Sequence, residues 1–190
     1  KTNYFLKERA INLAIVVFLK KKMNLVFLNY VPELENFLYW CQQLIAESLG
    51  KKGKGFFPVI SNVPKDHHSL LQLYLDGPKD KLFYIFSFEK KENNEKINFN
   101  GIKLKKNFLK SKKMSIIKEA QKNAMIKSLK KRKISFREFK IKNINEDVLG
   151  KMFSYFILET IILAKLVNLN PFDQPAVEQV KIDTKKLLNK

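Results

Sequence analysis

The sequence predicts an α/β domain whose sheet is mostly parallel and is covered by helices on both faces. Two observations carry this expectation. Short, almost continuous apolar runs such as Asn24–Asn29 (NLVFLN) and Lys81–Phe88 (KLFYIFSF) have the pattern of strands buried on both sides. Between such runs lie longer stretches whose apolar residues recur at helical spacing, and strands that alternate with helices join into a parallel sheet.

Taken in order, Glu8–Lys20 aligns Ala10, Leu13, Ala14, Val17 and Phe18 along one helical stripe. Asn24–Asn29 is the first strand. Pro32-Glu33 opens a second helix that runs to Leu49, and Gly50 stands where glycine is favoured just past a helix end. Phe56–Ile60 is strand-like, and His68–Leu75 is a short helix closed by Asp76-Gly77-Pro78. Lys81–Phe88 is the next strand. Glu89–Lys113 is polar, rich in Lys and Asn and weakly periodic, so a hairpin or an ordered excursion both fit. Ser115–Lys130 is an amphipathic helix with Ile116, Ile117, Ala120, Ala124, Met125 and Leu129 on its apolar side. Ile134–Ile141 alternates apolar and polar residues, as a half-exposed strand does. Glu146–Asn168 is a long, mostly apolar helix expected at the centre of the core. Pro175 or Ala176 begins a last helix that ends near Leu188, with Asp173 a candidate cap. No repeat or linker divides the chain, so residues 1–190 are read as one domain.

A 190-residue chain with 45% hydrophobic residues can bury one ordinary core. The net charge of +19 raises the question of a nucleic-acid or membrane partner. Of the 37 basic residues, however, only Arg9, Arg132 and Arg137 are arginines. Arginine's planar fork suits phosphate and guanine far better than lysine's point charge. The chain is also crowded with Asn, Ile, Phe and Lys, residues that A/T-rich codons supply. The charge is therefore read as spread over solvated faces, and neither nucleic acid nor a membrane is expected as a partner. The single cysteine, Cys41, excludes an intrachain disulfide and suits a reducing cytoplasm; its neighbours Leu38, Tyr39 and Trp40 suggest a buried thiol. Ala10–Leu19 and Met152–Val167 are too short or too interrupted by polar residues for the ~18-residue apolar run of a membrane span. The amino terminus does not resemble a secretory signal, and a cytoplasmic location is expected.

Chemistry concentrates in three places: Glu47 in LIAESLGK, Asp66-His67-His68-Ser69, and Gln174 with Lys181 in DQPAVEQVK. A carboxylate base, a histidine and a lysine are the groups needed to open a sugar ring and move a proton between adjacent carbons. His67 and His68 are the only histidines. Adjacent side chains do not easily face one ion, and zinc needs three or four protein ligands, so no metal site is expected. His68 follows a strand at a helix start, where open α/β sheets bind ligands. Taken singly, each residue has a plainer reading: Glu47 as a surface carboxylate, Lys181 as one lysine among many, Gln174 as a capping amide.

The segments LYWCQQLIAESLGKKGKGFFP, PKDHHSLLQLYLDGP and NPFDQPAVEQVK together resemble three motifs of the glucose-6-phosphate isomerase (phosphoglucose isomerase) family. The first resembles W-x-x-Q-L-x-x-E-S-x-G-K, the second D-x-H-S-x-x-Q, and the third a signature ending F-D-Q-x-x-V-E-x-x-K. They occur in the family's order across most of the chain. The resemblance implies a three-layer sugar-isomerase (SIS) domain with a C-terminal helix, and aldose–ketose interconversion of glucose 6-phosphate and fructose 6-phosphate through a cis-enediol. It implies that Glu47 is the catalytic base, that His68 and Lys181 assist ring opening, and that Gln174 contacts substrate. His67 matches no role. It further implies no metal or organic cofactor, and a homodimer in which His68 serves the neighbouring subunit. Two departures stand out. Ala176 and Val180 occupy positions where the family usually has glycine. The family's serine- and threonine-rich phosphate loop and its Gly-Gly-Arg motif, which lie mainly in a first SIS domain, have no counterpart here. The chain is therefore expected to be the second SIS domain of a larger isomerase, with weak or no activity alone; Lys1 in place of a methionine agrees. The alternative is a non-catalytic SIS-type module that binds a sugar phosphate for regulation.

Overall fold

A computed structural model describes residues 2–89, 109 and 112–189, so most of the Glu89–Lys113 excursion lies outside the described residues. In chain order, α1 (Thr2–Ala14) continues into a π-helical turn, Ile15–Leu19, and β1 spans Asn24–Asn29. A 3-10 turn at Pro32–Leu34 leads into α2 (Glu35–Leu49), followed by β2 (Phe57–Asn62), α3 (Lys65–Asp76) and β3 (Lys81–Phe88). Then come α4 (Met114–Lys131), β4 (Phe136–Ile141), α5 (Glu146–Leu166) and α6 (Pro175–Leu188). The four strands form one sheet in the order β2-β1-β3-β4, and every neighbouring pair is parallel.

The two central strands explain their own composition. Successive side chains of a strand point to opposite faces. On one face Leu25 and Phe27 of β1 join Leu82, Tyr84 and Phe86 of β3 beneath α1, α2 and α5. On the other, Val26 and Leu28 join Phe83 and Ile85 beneath Tyr74 of α3 and Met125 and Leu129 of α4. Both faces are dry, so both must be apolar. β4 closes one edge; only Ile141 on it is fully buried, which is why its sequence alternates. Cys41 is buried within the α2 layer, and burial pushes its thiol pKa well up. Among the described residues no helix is long and apolar enough to cross a membrane.

Several boundaries and one role differ from the sequence expectation: α1 begins at Thr2 where Glu8 was expected, and β2 spans Phe57–Asn62 where Phe56–Ile60 was expected. The helix expected from His68 begins at Lys65, where the Asp66 carboxylate accepts the Asn62 amide at 2.9 Å. α4 extends one residue at each end, and β4 starts at Phe136. The helix expected at the centre of the core, α5, instead lies in an outer layer. It buries Phe156, Leu163 and Ala164 but leaves Ile157, Leu158 and Leu166 exposed.

The buried side of α5 also carries a carboxylate, Glu159, only 3% exposed. Arg137 Nη1 on β4 meets its Oε1 at 2.5 Å, and the Tyr155 hydroxyl donates to the same oxygen at 2.9 Å. Arg137 also donates to the Arg9 carbonyl at 3.2 Å and lies 5.1 Å from the centre of the Tyr84 ring. Burial works against the Arg137 cation, but Tyr84, Glu159 and Tyr155 around it hold its pKa above the ordinary value. This cluster ties the edge strand to α5 and α1. A buried charge stripped of its partner costs about 3–5 kcal/mol. Arg137→Met is therefore expected to lower unfolding stability by about that amount in urea titration with an unchanged m-value. Arg137→Met combined with Glu159→Leu recovers most of the loss.

Candidate active site

A helix that connects parallel strands must run back against them. Two hydrogen bonds trace this for α2. At its start, Glu35 Oε1 accepts from Asn62 Nδ2 at the carboxyl end of β2, 2.7 Å away. Midway, Gln42 Nε2 donates to the Pro58 carbonyl near the beginning of β2, also at 2.7 Å. Glu47, more than a turn further on, thus lies beyond the amino ends of the strands. α5 descends in the same direction and delivers the turn 167–174 to that end.

There the half-buried Glu47 carboxylate is held at both oxygens. Oε1 accepts from Gln43 Nε2 at 3.0 Å, one turn back on α2. Oε2 accepts from Gln174 Nε2 at 2.7 Å, across 127 residues of sequence. The turn that presents Gln174 is itself gripped. Lys51 Nζ donates to the Asn170 carbonyl at 2.6 Å and to Asp173 Oδ1 at 2.8 Å, and Lys54 Nζ donates to the Val167 carbonyl at 2.7 Å. The loop carrying both lysines is tightly wound. Gly55 has φ +102°, and a Cβ there would sit 2.7 Å from the Leu49 carbonyl oxygen. Asp173, the candidate cap, is used differently: its carboxylate pairs with Lys51. Gln174 occupies the capping position with its amide turned to Glu47, and Pro175, lacking an N–H, opens α6.

The other two candidate residues stand apart from this pair. His68 lies in the first turn of α3, just past the carboxyl end of β2, and its side chain is exposed. Six-residue strands at about 3.3 Å per residue place that edge of the sheet roughly 20 Å from the edge that carries Glu47. His67 turns inward. Its Nε2 shares a hydrogen bond with the Tyr30 hydroxyl at 3.1 Å, its ring meets the Tyr30 ring edge-on, and burial draws its pKa down. Lys181 is two turns along α6, a helix that buries no residue, and its ammonium meets Glu178 Oε1 at 2.7 Å on the same helix. The structure thus joins Glu47 and Gln174, leaves His68 at the opposite end of the sheet, and pairs Lys181 with Glu178. It adds Gln43 and Lys51, which the sequence reading assigned no role. Both stand in the W-x-x-Q-L-x-x-E-S-x-G-K segment, as its Gln and its final Lys, and Gln43 also has a four-residue spacing to Glu47. Among the described residues no cluster of three or more His, Cys, Asp or Glu could hold a metal ion.

A parallel sheet between two helical layers, with a trailing helix, makes a three-layer α/β domain consistent with an SIS-type fold. A glucose-6-phosphate isomerase from Chlamydia trachomatis shares the fold, with a TM-score of 0.73 over 97% of this chain and 38% of that one, at 16% identity. A hypothetical protein from Thermus thermophilus superposes with a TM-score of 0.81 at 26% identity, covering 95% of this chain and 45% of that one. No family model matches the chain. Curated proteins do. A glucose-6-phosphate isomerase from Methanocaldococcus jannaschii is 36% identical over 156 residues, which is 82% of this chain and 38% of the relative. Another from Mycoplasmopsis synoviae is 34% identical over 173 residues, 90% of this chain and 40% of the relative. A third, from Lactobacillus helveticus, is 32% identical over 163 residues, 85% of this chain and 36% of the relative. Over the stretch they share, the chain is a homologue of these glucose-6-phosphate isomerases. It spans little more than a third of the length of those relatives.

The Lys51 bond holds the Asp173 carboxyl below its ordinary value of 3.8, against the opposing effect of desolvation. A lowered carboxyl pKa contributes stability above the unfolded value, and that contribution is lost as pH falls through the folded value. Asp173→Asn is therefore expected to melt below the parent chain at pH 7. In melting curves recorded down the pH scale, the gap should close below pH 3.8.

Proposed function

We propose that this chain supplies the C-terminal, proton-transferring part of a cytoplasmic glucose-6-phosphate isomerase. The carrying observation is the Glu47 carboxylate held between the amides of Gln43 and Gln174. A general base needs a fixed direction toward the proton it removes. Two amides, one from its own helix and one from a distant turn, supply that fixing, and each is free to turn to a sugar hydroxyl when substrate enters.

In this reading Glu47 takes the C2 proton of open-chain glucose 6-phosphate. The C–H electron pair forms the C1–C2 double bond as O1 gains a proton, giving the cis-enediol. Glu47 then returns its proton to C1 while O2 loses one, and fructose 6-phosphate results. His68 passes a proton to or from the ring oxygen, and the Lys181 cation stabilises charge developing there. The sheet-end separation of His68 from Glu47 supports a homodimer in which each His68 completes the neighbouring site. Gripping of the phosphate belongs to a second SIS domain outside this chain. Without that binding energy to draw on, the isolated chain turns over weakly or not at all.

In the full-length protein, Glu47→Gln is expected to lower kcat by about 10²–10⁴-fold. It should also abolish deuterium incorporation at C2 of substrate in D₂O while fructose 6-phosphate still binds. An unchanged rate removes the base assignment. Absence of exchange in the unmutated protein favours a sugar-phosphate-binding regulatory module instead, and full turnover by residues 1–190 alone overturns the division of labour.

A further inference from the structure

We propose that Lys51 is a positioning residue that presents Gln174 to Glu47, an inference that rests on Glu47 being the base. Gln174 has little else to hold it. It is exposed, and it heads α6, none of whose residues is buried. Its location must therefore come from the turn before it, whose Leu169 and Pro171 are buried but whose Asn170 and Asp173 are exposed. Lys51 holds that turn at two points, the Asn170 carbonyl and the Asp173 carboxylate, with bonds of 2.6 and 2.8 Å. Within the turn, Asn170 Oδ1 accepts the Phe172 amide at 3.1 Å, so the two anchor points move as one.

Three further features separate this grip from an ordinary surface ion pair. The Lys51 side chain is only 9% exposed, whereas surface lysines pay rotamer entropy to hold a partner. A cation that bonds two oxygens makes stronger hydrogen bonds than neutral donors do. Lys51 also follows Glu47 by a single helical turn, so one short segment carries both the base and the clamp on the residue that meets it. The loop's positive φ values at Lys52 (51°), Gly53 (67°) and Gly55 (102°) set the direction in which that clamp emerges. Lys54, which bonds Val167 at the start of the turn, holds the helix exit rather than the Gln174 end.

The test has two arms, one independent of catalysis. In the 190-residue chain, Lys51→Met is expected to move the side-chain amide signals of Gln174 to those of a free glutamine in ¹⁵N–¹H spectra. Lys51→Arg should retain part of the bonded signal and Lys54→Met should leave it in place. Asp173→Asn, at an exposed position that cannot unfold the core, should shift it in the same direction by less. In the full-length protein, Lys51→Met and Gln174→Leu should lower kcat/KM by a similar factor, on the order of 10²-fold for an ångström-scale misplacement. The double variant should lose no more than either single one. Unmoved Gln174 signals in both Lys51→Met and Asp173→Asn, or fully multiplicative losses in the double variant, overturn the proposal even where the melting temperature falls. Intact coupling in the spectra of an unmutated protein that exchanges no C2 proton would instead leave the clamp standing and remove the isomerase reading.

Discussion

Parallel pairing is the constraint from which the rest of the molecule follows. Two parallel neighbours cannot be joined by a tight turn, so each connection must cross the sheet and return, and its helix runs against the strands. α2 and α5 both return on one face and both end at the amino edge of the sheet. One brings Glu47 there and the other brings the turn that holds Gln174. α3 begins at the opposite edge, which is where His68 is left. The distribution of chemical groups between two ends of the domain is therefore a consequence of strand direction. No choice of side chain at positions 47 or 68 could alter it.

Lysine has a larger structural share than its abundance suggests. Four lysines close backbone carbonyls just beyond helix ends, where the helix dipole is negative and carbonyls lack partners. Lys22 and Lys81 serve the carbonyls of Lys79 and Pro78 after α3, while Lys54 and Lys51 serve those of Val167 and Asn170 after α5. Part of the positive charge is thus spent on holding connections, not on solvated faces alone. Arg137 is the corresponding case for arginine, its fork turned inward to Glu159 and the Arg9 carbonyl instead of outward to a ligand.

The strands were legible because burial on both faces leaves no room for polar residues, and Asn24–Asn29 and Lys81–Phe88 keep their expected limits. α5 was misjudged for a related reason. A high apolar content normally signals full burial, but here several of its apolar residues remain exposed and a carboxylate is buried instead. Asp173 was misjudged because the short-range rule for helix caps knows nothing of a lysine more than a hundred residues earlier. Glu47, His68, Gln174 and Lys181 were picked out by the wording of their motifs, since periodicity alone gives none of them a role.

By itself, then, the sequence determined what each segment could be: strand or helix, buried or exposed, and which residues carry groups able to move a proton. Those properties depend on neighbours within a few residues, and a linear chain displays them directly. Only the tertiary structure decided that Gln174 meets Glu47, that Lys51 bonds the turn leading to Gln174, and that His68 lies at the far end of the sheet. Each of these depends on where helices end after crossing a sheet, and that position is set by packing between segments that the chain order keeps far apart.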